Sequence, residues 1–151
     1  MSTFDPQLYM DQSWDQSNDT KLTPIPDGEY PCIIEPGTVE FKTWQSRDGT
    51  KNGIKLAMRL NVDSPEVRQT LGRDKVTVRY EVMIDTLESG AIDMGKGKNV
   101  GLGRLRQAVG LNEPGRPFSP RMLEGRMLRA KIGHRIDGED IYDEVKGVAP
   151  V

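Results

Sequence analysis

Residues 53–62 read GIKLAMRLNV, and their alternation decides the fold class. Ile54, Leu56, Met58, Leu60 and Val62 fall on one side of an extended chain, and Lys55, Ala57, Arg59 and Asn61 on the other. A period of two is the pattern of a strand that buries one face and wets the other. Residues 75–84 repeat it, with Val76, Val78, Tyr80, Val82 and Ile84 as the inward set. Two such strands predict a mostly β protein.

Outward from this pair the same grammar continues. Tyr30, Cys32 and Ile34 alternate after Gly28, which predicts Cys32 in the core. After Pro36-Gly37 the run TVEFKTW (38–44) ends at the turn signal Ser46-Arg47-Asp48-Gly49. SPEVRQTLG (64–72) has a capping Ser64, Pro65 at the first helical position and Gly72 as a stop, so a short helix is expected there. SPRMLEG (119–125) repeats that arrangement, and Asn99 to Gly110 reads as a third short helix with Leu102, Leu105 and Val109 on one face. In RMLRAKIGHRI (126–136), Leu128, Ala130, Ile132 and His134 share one face, while Arg129, Lys131 and Arg135 share the other. Asp137-Gly138 signals a hairpin, from which IYDEVKGV returns as the last strand. Five or six strands with short helical connectors predict an OB-like small antiparallel barrel over residues 27–151. A jelly roll or plain sandwich stays open as an alternative, because periodicity does not order strands. Residues 1–26, polar, acidic and closing on Pro-Ile-Pro, are expected to form an extended N-terminal arm outside the core.

Composition excludes several classes of function. Only 35% of the 151 residues are hydrophobic, and no apolar run approaches the roughly 20 residues of a membrane helix. The N-terminus lacks the basic-then-apolar pattern of a secretion signal, so the expectation is a soluble, intracellular protein. One cysteine and one histidine allow neither an internal disulfide nor a Cys/His zinc site. A Cys32–His134 nucleophilic dyad is disfavoured because both residues fall on inward strand faces. The acids of IDGEDIYDE lack the order of a calcium loop and read as a polar hairpin turn. No catalytic residue, metal or cofactor is expected.

The net charge of −2 conceals segregation by sign. Residues 1–30 carry six acids against Lys21, about −5, whereas residues 96–135 carry ten bases against Glu113 and Glu124, about +8. At the head of the basic segment lies GKGKNVGLGRLR (95–106). It is no Walker loop, since Gly101 is followed by Leu102 and no Ser or Thr stands near, and it lacks the βαβ context of a dinucleotide fingerprint. Its glycines allow close backbone approach, while Lys96, Lys98, Arg104 and Arg106 supply cations and a helix start at Asn99 supplies amides. That combination suits a sugar-phosphate backbone, although an ordinary solvated basic loop has the same composition. Arg126, Arg129, Lys131 and Arg135 extend the phosphate-binding set along the late strand. Phe41 and Trp44, flanked by Lys42, Arg47 and Lys51, are the stacking candidates, joined by Phe118 between Arg116 and Arg121.

Four stretches carry a family resemblance: PIPDGEYPCIIE (24–35), LRQAVGL (105–111), LEGRMLRAKIGHR (123–135) and YDEVKGVAP (142–150). In these the chain resembles small phage-encoded single-stranded-DNA-binding proteins of replication and recombination modules. The resemblance spans most of residues 24–150 and rests on motifs of fold, not of chemistry. It implies an OB-like fold, non-catalytic coating of exposed single-stranded DNA, and a place in the cytoplasm of a phage-infected bacterial host. The chain departs from the frequent family pattern of an acidic C-terminal tail by ending in VKGVAPV, with its acidic segment at the other end. The arm is therefore the expected contact for replication or recombination proteins, or a competitor of DNA for the basic surface. Self-association is left open, and no membrane is expected as a partner. The rival reading is a phage virion structural or decoration protein that grips its neighbours with the β domain and the arm, whose Phe4, Tyr9 and Trp14 recur every five residues. A weaker third is an adaptor that mimics DNA through its acidic arm.

Overall fold

The computed structural model describes residues 4–151. Six antiparallel strands make up one sheet: β1 (Gly28–Ile34), β2 (Glu40–Gln45), β3 (Asn52–Val62), β4 (Thr77–Ile84), β5 (Met127–Asp137) and β6 (Asp140–Ala149). The connectors are short helices: α1 (Pro6–Met10), α2 (Pro65–Leu71), α3 (Val100–Ala108) and a 3₁₀ turn at Pro120–Leu123. The order across the sheet is β2-β3-β1-β5-β6, with β4 also paired to β3.

The long strand β3 organises this arrangement. One edge of it carries β4 from Ile54 to Asn61, and the other carries β2 from Asn52 to Ala57 and then β1 from Leu60 to Val62. β1 and β2 thus form one bent strand broken at residues 35–39, where Gly37 adopts a φ of 81°. Backbone groups at the break are still satisfied: Glu35 N–H donates to Arg59 O at 2.9 Å, and Arg59 N–H donates to Thr38 Oγ1 at 3.1 Å. β4 and β6 run close to each other and α3 packs on both, but the sheet is not closed into a barrel by ladder pairing between them.

The alternation read from the sequence sets the core. Cys32, Ile34, Leu56, Met58, Leu60, Val62, Val78, Val82, Leu128, Ala130 and Ile132 are buried, with Leu105 of α3 and Leu123 of the 3₁₀ turn closing over them. α2 begins and ends where its signals stand: Ser64 Oγ accepts from Val67 N–H, Pro65 starts the helix, and Gly72 ends it at a φ of 64°. Ala57 keeps its expected outward place but is only 4% exposed. It sits between Glu40 of β2 and Glu81 of β4, and a methyl group flanked by longer side chains on both neighbouring strands is covered by them. The hairpin turn is centred one residue later than the Asp137-Gly138 signal, on Gly138-Glu139, because Asp137 and Asp140 pair.

Within the 1–26 segment, α1 is a single exposed turn started by Asp5, whose carboxylate accepts from Gln7 N–H at 3.0 Å. Residues 21–25 are fastened to the domain. Ile25 is fully buried and donates its N–H to Asp143 Oδ1, Arg73 donates to Thr23 O, and Lys21 donates to Glu139 O and pairs with Asp140. Among the described residues no helix is long and apolar enough to cross a membrane.

Burial at Cys32 generates a test. Desolvation is the main cause that pushes its thiol from an ordinary 9.0 up to about 12, with nearby Asp63 adding to the rise and a backbone hydrogen bond at Ala130 opposing it. The native thiol should be inert to a thiol-reactive disulfide reagent at pH 8, and its labelling rate should track global unfolding in urea. Because the folded value is the higher one, stability holds below the ordinary thiol range and falls as pH rises from there towards 12. Fast native labelling would contradict the assignment of Cys32 to the core.

Candidate nucleic-acid interface

The outward residues of β2, β3 and β4 form one polar face. Strand register sets Lys42 directly opposite Lys55, and Arg59 directly opposite Arg79. Like charges directly opposite each other on a sheet are destabilising. Two carboxylates offset part of that cost. Glu81 lies 2.7 Å from Lys55 and 3.6 Å from Arg79, and Glu40 lies 3.1 Å from Lys42. Arg59 is exposed and has no carboxylate within ion-pair distance among the described residues. Four cations against two acids leave the face positive, with a shallow groove of about 220 Å³ running past Thr38, Arg59 and Arg79.

Trp44 stands on this face at the end near the hairpin. Its cross-strand partner is Gly53, and a Cβ at that position would come within 2.7 Å of the indole Nε1. The indole therefore sits over the glycine, and Trp44 is half-buried. The turn beyond is rigid: Asp48 accepts from Ser46 Oγ, Thr50 N–H and Thr50 Oγ1, and these hydrogen bonds, Ser46 first, hold its carboxyl at about 2. Beside Trp44 opens a cleft of about 800 Å³, lined also by Gln45, Asn52, Asp85, Asp93 and Lys98.

Lys98 reaches that cleft because Asn99 ties the preceding loop. Asn99 holds a left-handed φ of 53°, and its N–H donates to Asp85 Oδ2 at 2.9 Å. Its side chain accepts from Asp85 N–H at 2.8 Å and donates to the carbonyls of Asp85 and Asp93, each at 2.9 Å. Its side chain and N–H are engaged with the loop and its side chain does not cap α3, while its carbonyl accepts from Gly103 N–H at 2.9 Å to start the helix. The glycine-rich run is thus a knotted loop leading into a helix that packs Gly101 against Val82.

The residues expected to bind phosphate fall in separate places. Lys96 and Lys98 belong to the loop, and only Lys98 lines the Trp44 cleft. Arg104 is exposed on α3 near the Tyr80 hydroxyl, whose pKa burial raises while the guanidinium pulls it back. Arg106 is occupied within the fold: its Nε donates to Leu111 O, and its guanidinium lies 4.4 Å from the Phe118 ring centroid. Arg126 donates to Met122 O, and Arg129 and Lys131 project from β5 opposite Pro31 and Glu29, across β1 from the basic face. Arg135 stacks on Tyr142 at 4.9 Å and meets Arg79 in a groove of about 300 Å³ between β4 and β6.

Among the stacking candidates, only Trp44 shares the basic face. Phe41, 49% exposed, pairs with Leu56 on the opposite side of β2 and looks toward Pro120 and Arg121. Phe118 is half-buried, packed on the core and covered by Arg106. Residues three apart on a strand point to opposite faces, so Phe41 and Trp44 do not form one platform. Lys42, Lys55, Arg59 and Arg79, which make up the basic face, are not among the residues that the sequence singles out for phosphate binding. The outward positions of Lys55, Arg59 and Arg79 follow from the alternation of 53–62 and 75–84, but the opposition in register does not.

His134 lies 2.8 Å from Asp27 Oδ1 and 2.6 Å from Ile25 O, and Cys32 is turned to Tyr30 O, so the two residues form no dyad. Among the described residues no three His, Cys, Asp or Glu side chains gather into a metal-binding group.

Compared with known proteins, the chain matches no protein-family model and no curated protein. The geometry of the Trp44 platform can be tested directly. Replacing Gly53→Ala in a Trp14→Phe background should displace the indole and shift its emission to longer wavelength, with the fold retained by circular dichroism. Unchanged emission would mean that Trp44 does not lie on Gly53.

Proposed function

We propose that the protein binds single-stranded DNA and coats it without catalysing a reaction, in phage DNA replication or recombination. The observation that carries this reading is the register of like charges, Lys42 on Lys55 and Arg59 on Arg79, beside a tryptophan seated over a glycine. Such repulsion is relieved by an anionic ligand, and a phosphate backbone brings successive negative charges to a row of cations. Half-buried Trp44 offers an aromatic ring for stacking, worth about 1–3 kcal/mol per base in single-strand-binding proteins. A duplex hides its base faces, so this combination favours single strands.

The strand arrangement supports an OB-like reading. Following the neighbours from β1 through β3 to β4, across the seam to β6, then through β5 back to β1, gives a ring. The seam beside α3 is its open part, and β2 continues β1 around the bend. OB-like barrels bind oligonucleotides on the outer face of their second and third strands, to which β3 and β4 would correspond on this reading. The phage setting rests on the resemblance of the four sequence stretches. The acidic residues before Lys21 are suited to contact replication or recombination proteins.

Fluorescence anisotropy of labelled oligo-thymidine tests the reading. Affinity should fall steeply with salt, and duplex DNA of the same length should bind more weakly. Replacing Arg59→Gln together with Arg79→Gln should flatten the log–log salt slope by about 1.4, at roughly 0.7 per lost phosphate contact. The same double variant should be as stable to heat as the parent or more so, because it removes a like-charge pair. Absence of oligo-thymidine binding at low salt would overturn the reading and favour a virion subunit contact for this face.

A further inference from the structure

We infer that the cleft beside Trp44 is a nucleobase pocket that selects guanine over thymine. The inference rests on the single-stranded-DNA reading and assigns its base preference, which cations and a stacking surface alone do not create.

The argument starts from the acceptors in the cleft. Asp85 and Asp93 both line it, although carboxylates oppose the approach of phosphate. Each is oriented by one backbone N–H through one oxygen. Asp85 Oδ2 accepts from Asn99 N–H, and Asp93 Oδ1 accepts from Gly95 N–H, each at 2.9 Å. The second oxygen of each carboxylate receives no hydrogen bond from the described residues, and neither pairs with Lys98 or any other cation among them. Both are tied to the same residue, since the Asn99 side chain bonds the backbone of Asp85 and the carbonyl of Asp93. The cleft therefore presents two held, unfilled acceptors beside an aromatic face.

Because Trp44, Asp85 and Asp93 line the same cleft, a base stacked on the indole would turn its edge toward those acceptors. Guanine presents two adjacent donors, N1–H and the exocyclic amine, and a pair of carboxylate oxygens accepts both. Thymine presents one N–H between two carbonyl oxygens, which the carboxylates repel. Base discrimination by hydrogen bonds to an edge follows from this mismatch of donors and acceptors. Lys98 at the same cleft supplies the cation for the phosphate of the seated nucleotide.

The test compares fluorescein-labelled d(TG)8 with d(T)16 by anisotropy, using the full-length wild-type protein at one moderate salt concentration. The expected result is at least roughly five-fold tighter binding of d(TG)8, the lower end of what a well-made edge contact discriminates. Asp85→Asn and Asp93→Asn, each of which keeps an oxygen for its backbone donor, should bring the ratio toward one while d(T)16 affinity holds or rises. Equal binding of the two oligonucleotides by wild type would overturn the inference and leave the single-stranded-DNA reading standing. A ratio that persists in both variants would also overturn it. Failure of wild type to bind either oligonucleotide would overturn both. The wild-type comparison needs no variant, so a folding defect in either substitution does not shield the inference.

Discussion

Everything in this fold leans on β3 using both of its edges along its full length. An eleven-residue strand with β4 on one side and the bent β1–β2 pair on the other leaves few of its backbone groups for solvent, and the break at 35–39 is patched by Glu35 N–H and Thr38 Oγ1. Because side chains alternate, one face of that strand can be almost wholly apolar while the other is almost wholly polar. Leu56, Met58, Leu60 and Val62 hold the core from the first face. The second face is then free to carry a pattern that stability would not choose.

That pattern is like charges in register. A sheet selected for stability alone would set acids against bases, as Glu81 does for Lys55. Here Arg59 faces Arg79, and the nearest acid of β4 is already shared between Lys55 and Arg79. Gly53 follows the same logic, since a glycine inside a strand weakens it and here makes room for the Trp44 indole. Local departures from the rules of stability are concentrated on this face and beside it, where Asn99 holds a left-handed conformation to tie the 85–99 loop. Departures of this kind gather at functional sites.

Local features were legible in the sequence and long-range ones were not. The strand at 53–62, the core position of Cys32 and the α2 boundaries at Ser64 and Gly72 each follow from residues within a few positions of one another. Burial of Ile25 does not, since its N–H partner, Asp143, is 118 residues away. The pairing of Arg106 with Phe118 likewise depends on how α3 meets the chain after it. The basic face shows the limit most clearly. Arg59 and Arg79 each read as outward, yet only strand order and register put them side by side. The richest basic run in the sequence, 96–135, is divided among the loop, α3 and the outer side of β5. Density of charge along the chain was a poor guide to density in space. Phe41 and Trp44 are a different lesson, because strand parity alone separates them.

The most direct test of the central claim is a map of the binding face. Backbone amide and tryptophan indole NMR shifts would be followed while oligo-thymidine is titrated into isotope-labelled protein. The expected result is that the largest changes fall on Lys42, Trp44, Lys55, Arg59 and Arg79, with the Trp44 indole signal among them, while Arg129 and Lys131 on the outer side of β5 move little. Shifts concentrated on β5 and α3, with β2, β3 and β4 unaffected, would contradict the account and relocate the interface.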